Sequence, residues 1–145
     1  MEMTRALSSP LASLDAWLWR RGIRHPGIRA LLRHEAAAAA LALLAGGALM
    51  AATPWFLWFG AGVACMAWIF WSWARFFLRG AGRAFQPGAL AGALLGWALR
   101  MLVFALALYG ALRVGASATA LAAGVAAGLA VGLVSYAAGS RAAGM

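Results

Sequence analysis

Cys65 to Arg83 reads CMAWIFWSWARFFLRGAGR, and this stretch orients the rest of the chain. Its first half is apolar and rich in tryptophan, with Trp68, Trp71 and Trp73 inside it and Trp58 just upstream. Its second half spaces Arg75, Arg79 and Arg83 four residues apart, which sets them on one helical face. Tryptophan favours the headgroup layer, and arginines flanking a span gather on the cytoplasmic side. The stretch therefore reads as the inner end of a transmembrane helix entering a basic cytoplasmic loop.

The composition agrees. Of 145 residues, 66% are hydrophobic and 10% charged, and the mean hydropathy is +0.86. A soluble domain of this size is about half apolar and about a quarter charged. An all-α integral membrane protein is expected. The net charge of +9 comes from arginine alone, because the chain has no lysine. A GC-rich coding bias towards Arg, Ala and Gly accounts for part of this. The arginines lie beside apolar runs, where anionic lipid headgroups attract each by about 1 kcal/mol. Lipid headgroups are thus the expected partner, and nucleic acid is not. Cys65 is a lone cysteine in an apolar run, so no disulfide is expected. The first apolar run begins too far from Met1 for a cleavable leader.

Upstream of the first run, residues 1–35 form a basic amphipathic segment. Ser9-Pro10 suits a helix start, and Gly22 suits its C-terminal stop. Leu11, Leu14, Trp17 and Leu18 share one face, as in a helix lying on a membrane with Trp17 and Trp19 at headgroup depth. The alternative is a disordered basic tail. Pro26 suits the first turn of a second helix, with Arg29 and Arg33 among the headgroups and His34-Glu35 at the boundary. Four spans are then expected within 36–138, arranged as two hairpins: 36–52, 55–74, 88–112 and 118–138. Residues 139–145 form a tail. Placing the amino terminus inside makes Arg5, Arg20, Arg21, Arg24, Arg29, Arg33, Arg75, Arg79, Arg83 and Arg141 cytoplasmic, and leaves Arg113 alone outside. Both termini are therefore expected on the cytoplasmic side of a bacterial inner membrane.

The third and fourth spans each carry a glycine ridge. Gly88, Gly92 and Gly96 recur every fourth residue, as do Gly124, Gly128 and Gly132. Small residues at that step let helix backbones approach closely, either within the chain or against a partner. Arg100 continues the first ridge. A central arginine costs about 2.5–3.5 kcal/mol on insertion scales, so it must find a carboxylate, find a helix C-terminus or snorkel to the inner face. No Asp or Glu follows Glu35. No metal-ligand cluster, nucleophile–base pair or phosphate loop is apparent, so neither a catalytic residue nor a cofactor or metal site is expected.

Several of these segments resemble the bacterial F-type ATP synthase subunit I family. Ala67 to Arg75, AWIFWSWAR, looks like the aromatic run that ends that family's second span before a basic loop. Arg100 to Phe104, RMLVF, resembles its arginine-led third span, and Ala123 to Gly132 is similar to its small-residue fourth span. Trp19 to Glu35, WRRGIRHPGIRALLRHE, looks like the basic segment before the first span. Where the family commonly has an Asn–aromatic pair, this chain has Trp68-Ile69. The resemblance implies a non-catalytic accessory role in assembling the ring of c subunits. The alternative it implies is a small cation channel or transporter, for magnesium, acting as a homo-oligomer. Absence of carboxylates within the spans argues against transport. A small stress-related membrane protein without a fixed partner is a third reading.

Overall fold

The computed structural model describes residues 2–80, 87–142 and 144, and every regular element among them is an α-helix. In chain order these are α1 (Glu2–Arg20), α2 (Pro26–Ala48), α3 (Trp55–Gly80), α4 (Pro87–Arg113) and α5 (Ala118–Ala142). The all-α architecture matches the expectation. The boundaries differ at α3, which stays helical to Gly80, past the expected end at 74, and in three further places.

The first difference is at α1, which starts at Glu2 instead of Ser9-Pro10 and carries Pro10 inside it. Proline's fixed φ is helical, so a helix can continue through it at the loss of one backbone hydrogen bond. The end of α1 is as expected. Gly22 has φ +86°, the Gly22 N–H donates to the Trp19 carbonyl at 3.0 Å, and the Ile23 N–H reaches back to the Leu18 carbonyl at 3.2 Å. This is a Schellman ending with its usual apolar contact, since Leu18 and Ile23 are both buried together.

The second difference is that α2 runs unbroken from Pro26 to Ala48. The headgroup helix and the first expected span are one element, and residues 49–52 belong to the following turn. His25 is extended, as a residue before proline must be, and Pro26 occupies the first turn. The third difference is at α5, which continues to Ala142, past the expected end at 138. Gly115, at φ +88°, closes α4 by the same Schellman pattern, and the Ser117 hydroxyl accepts from the Ala120 N–H at the start of α5.

Helices α2, α3 and α5 form the core of the molecule, in contact over most of their lengths. Backbones meet wherever a glycine removes the side chain. A Cβ on Gly46 of α2 would stand 2.6 Å from the Phe56 carbonyl oxygen, and one on Gly60 of α3 would stand 2.7 Å from that of Ala42. At the opposite end of α2, a Cβ on Gly27 would meet Ser140 and Tyr136 of α5. Thus α2 lies antiparallel to both neighbours from one end to the other.

The short helix α1 closes the end of this bundle. Leu18, Ile23, Leu32 and Ala74 form a buried cluster, with Leu14, Trp17, Ile28, Phe70 and Trp71 packed around it. Leu14, Trp17 and Leu18, part of the apolar face expected to lie in lipid, pack against α2 and α3. Helix α4 stands apart, and the apolar window from Leu94 to Arg113 has no buried residue.

Among the described residues three helices are long and apolar enough to cross a membrane: Trp55–Phe76, Leu94–Arg113 and Ala118–Ala142. The expected first span, in α2, is not among them. Its amino-terminal half holds Arg29, Arg33, His34 and Glu35, which leaves only Ala36–Ala48 as an apolar helical run.

Candidate functional site

The two glycine ridges have the same spacing and different surroundings. On α5, Gly124 packs on the Phe59 carbonyl and the Gly62 Cα of α3. A Cβ on Gly128 would stand 2.8 Å from the Met66 Cβ, and one on Gly132 would stand 2.6 Å from the Phe70 ring. Phe59, Val63, Met66 and Phe70 line α3 at steps of three and four, so the α5 ridge is its complement. That ridge is spent inside the molecule.

On α4 the ridge is open. Among the described residues a Cβ on Gly88 or on Gly92 would have no neighbour within 4 Å, and one on Gly96 would meet only the Arg100 Nη1 at 3.8 Å. Leu95, Leu99, Leu102 and Leu106 are exposed along the same helix. Arg100 is half-buried and bends back towards Gly96, the direction of snorkelling to the Pro87 end. It lines a cleft of about 270 Å³ between α3 and α4 with Trp68, Ser72, Trp97 and Met101. The sequence offered a choice between packing and a partner for both ridges. The surroundings separate them, with α5 turned inward and α4 turned outward.

No known family, characterised protein or solved structure matches this chain.

The residues expected at a membrane surface divide in a similar way. Trp17 stacks on Trp71 at 5.2 Å between ring centroids, and Arg21 lies 4.8 Å over Trp17. Trp17 therefore joins α1 to α3. Trp19 is exposed, with the Arg29 guanidinium 4.8 Å over its ring, and Arg29 also pairs with Asp15 at 3.4 Å. Arg20, Arg24 and Arg75 are exposed, while Arg33 is half-buried and its Nη2 lies 3.5 Å from the His34 Nε2. Arg83 and the side chain of Arg79 lie outside the described residues.

Sequence reasoning missed one group. Glu35, taken as a boundary marker, is 1% exposed and sits where α2, α3 and α5 meet. Gly132 of α5 and Phe70 of α3 enclose it, and its Oε1 lies 3.0 Å from where a Cβ on Gly132 would be. Neither carboxyl oxygen has a well-formed hydrogen bond, and the backbone of Gly132 lies beside the carboxyl. Its neighbour His34 reaches α5 as well, with Nδ1 3.0 Å from the Ser135 hydroxyl.

Counting along each helix from its end away from α1, Glu35, Phe70 and Gly132 all lie about 20 Å in, at about 1.5 Å per residue. A signal for this was present in the sequence. Of the buried residues of α2, Leu32, Glu35, Ala39 and Gly46 follow one helical stripe, with Gly27 off it at the start of the helix. Reading Glu35 with that stripe, and not with the basic run before it, places it inside.

Among the described residues no group of His, Cys, Asp and Glu could hold a metal ion. Cys65 is a free, half-buried thiol within α3.

Proposed function

We propose that this protein is a non-catalytic membrane accessory protein that holds helical hairpins of another membrane protein during assembly, and that the ATP synthase c subunit is that partner. The observation that carries the reading is the contrast between the ridges. One is consumed in the α3–α5 contact, and the other is left open on a helix that packs little of its surface against its own chain. In lipid, apolar surface alone gives helices no reason to associate, so close backbone approach and polar pairing decide. A hairpin of small-residue helices with a membrane carboxylate suits α4 on both counts. Its backbone fits against Gly88 and Gly92, and its carboxylate pairs with Arg100.

The topology belongs to the same proposal. Four segments cross the bacterial inner membrane with both termini in the cytoplasm, α2 being carried across by α3 and α5 along its whole length. Cysteines introduced near either terminus are then labelled only from the cytoplasmic side.

The test is co-purification with c subunit and ring yield in a reconstituted insertion assay. Gly92→Leu and Arg100→Gln should each reduce both while leaving the protein's own unfolding unchanged. Undiminished association in both variants would remove α4 as the contact.

A second reading, a small cation channel or transporter acting as an oligomer, is favoured by one observation, the unpaired Glu35 carboxyl. Magnesium demands about six oxygen ligands, and among the described residues no group of His, Cys, Asp and Glu gathers around Glu35 to supply them. Flux in proteoliposomes under a magnesium gradient distinguishes the readings, and none is expected.

A further inference from the structure

We infer that Glu35 is a proton-binding site, a carboxylic acid kept neutral in the seam between α2, α3 and α5. The inference rests on the packing of this chain and does not depend on any partner. Glu35 is 1% exposed, and neither carboxyl oxygen has a well-formed hydrogen bond, with the Gly132 backbone beside them. An ionised carboxylate placed there would be desolvated without compensation, which a protein avoids by binding a proton.

The groups facing it from each element offer no substitute for that proton. Helix α5 presents Gly132 and, one turn on, Ser135, while α3 presents the Phe70 ring. On α2 itself, the His34 ring turns to Ser135 and the Arg33 guanidinium turns to His34. Among the described residues no cationic group lies within ion-pair distance of Glu35, and Arg29 is paired with Asp15 of α1. The seam is also shaped for the acid, because any side chain at position 132 would fall on Oε1 and on the ring of Phe70.

Losing the proton would put a charge between three close-packed helices. Ionisation therefore loosens the α2–α5 seam, and the His34–Ser135 contact lies directly beside it.

Infrared spectroscopy of the full-length protein in lipid tests this without requiring a reagent to reach the site. A protonated carboxyl has a carbonyl stretch that a carboxylate lacks. Near neutral pH that band should be present in the wild type, absent in Glu35→Gln and unchanged in Asp15→Asn. The second measurement is reversible unfolding against pH. Above the range where an ordinary glutamate ionises, the wild-type unfolding constant should rise by up to about tenfold per pH unit, because the folded state alone retains the proton. Glu35→Gln should fold as well as the wild type and lose that component of the slope. A missing band at neutral pH overturns the inference, as does a Glu35→Gln variant that fails to fold. Disappearance of the band when magnesium or sodium is added at fixed pH would also overturn it, by assigning the site to a metal cation.

Discussion

At the scale of single residues, equal spacing conceals unequal consequences. Gly124 and Gly128 touch α3 with no room for a side chain, so Gly124→Leu or Gly128→Leu must push two backbones apart. Overpacking of this kind typically costs about 1–3 kcal/mol, and more where backbone is the obstacle. A clear loss of thermal stability is expected for both, and none for Gly92→Leu, whose site is empty. Ser135→Ala removes the partner of His34 across the α2–α5 seam. Within a membrane such a bond is worth about 0.6 kcal/mol on average, so a small fall in resistance to denaturing detergent is expected. The glycine steps themselves were legible in the sequence. Their use was not, because spacing reports which residues share a face and is silent on what faces them. Glu35 escaped for a related reason. It begins an apolar run and so looks like an edge, whereas its depth is set by Gly132, 97 positions away in the chain.

At the scale of elements, α1 is the instructive case. Its amphipathic face and its glycine stop were both readable from residues 11–22. The cover for that face was not readable: the sequence suggested lipid, and protein accepts the same leucines and tryptophans. The Gly22–Ile23 turn decides by folding α2 back so that Leu18 and Ile23 meet Leu32 and Ala74. Leu18→Ala, at a fully buried position, is expected to cost about 2–5 kcal/mol locally. Because α1 contacts the bundle at one end only, the expected readout is release of α1, seen as faster tryptic cleavage at Arg20, Arg21 and Arg24 with the three-helix core intact. Trp17→Ala should act in the same direction and remove the exciton-like coupling of stacked indoles in the near-ultraviolet spectrum.

At the scale of the whole molecule, the chain divides into a tight three-helix unit, a docked amino-terminal helix and a fourth long helix to one side. In a cysteine-free background, a cysteine at Leu106 of α4 should react with an apolar maleimide much faster than one at Leu121 of α5, since Leu106 is 59% exposed and Leu121 is 4% exposed. Equal rates would mean that α4 is covered by something else in the bilayer, a second copy or a bound partner. The polar half of α2 carries a separate implication for biogenesis. Of the three core helices α2 emerges first during synthesis, with arginines, a histidine and a glutamate that no lipid will accept unaided, while α5, which shields Glu35 and His34, is made last. The nascent amino-terminal third must therefore wait at the bilayer surface until α5 has been translated, and a ribosome halted before Gly132 would leave it stranded there as a substrate for quality-control proteolysis.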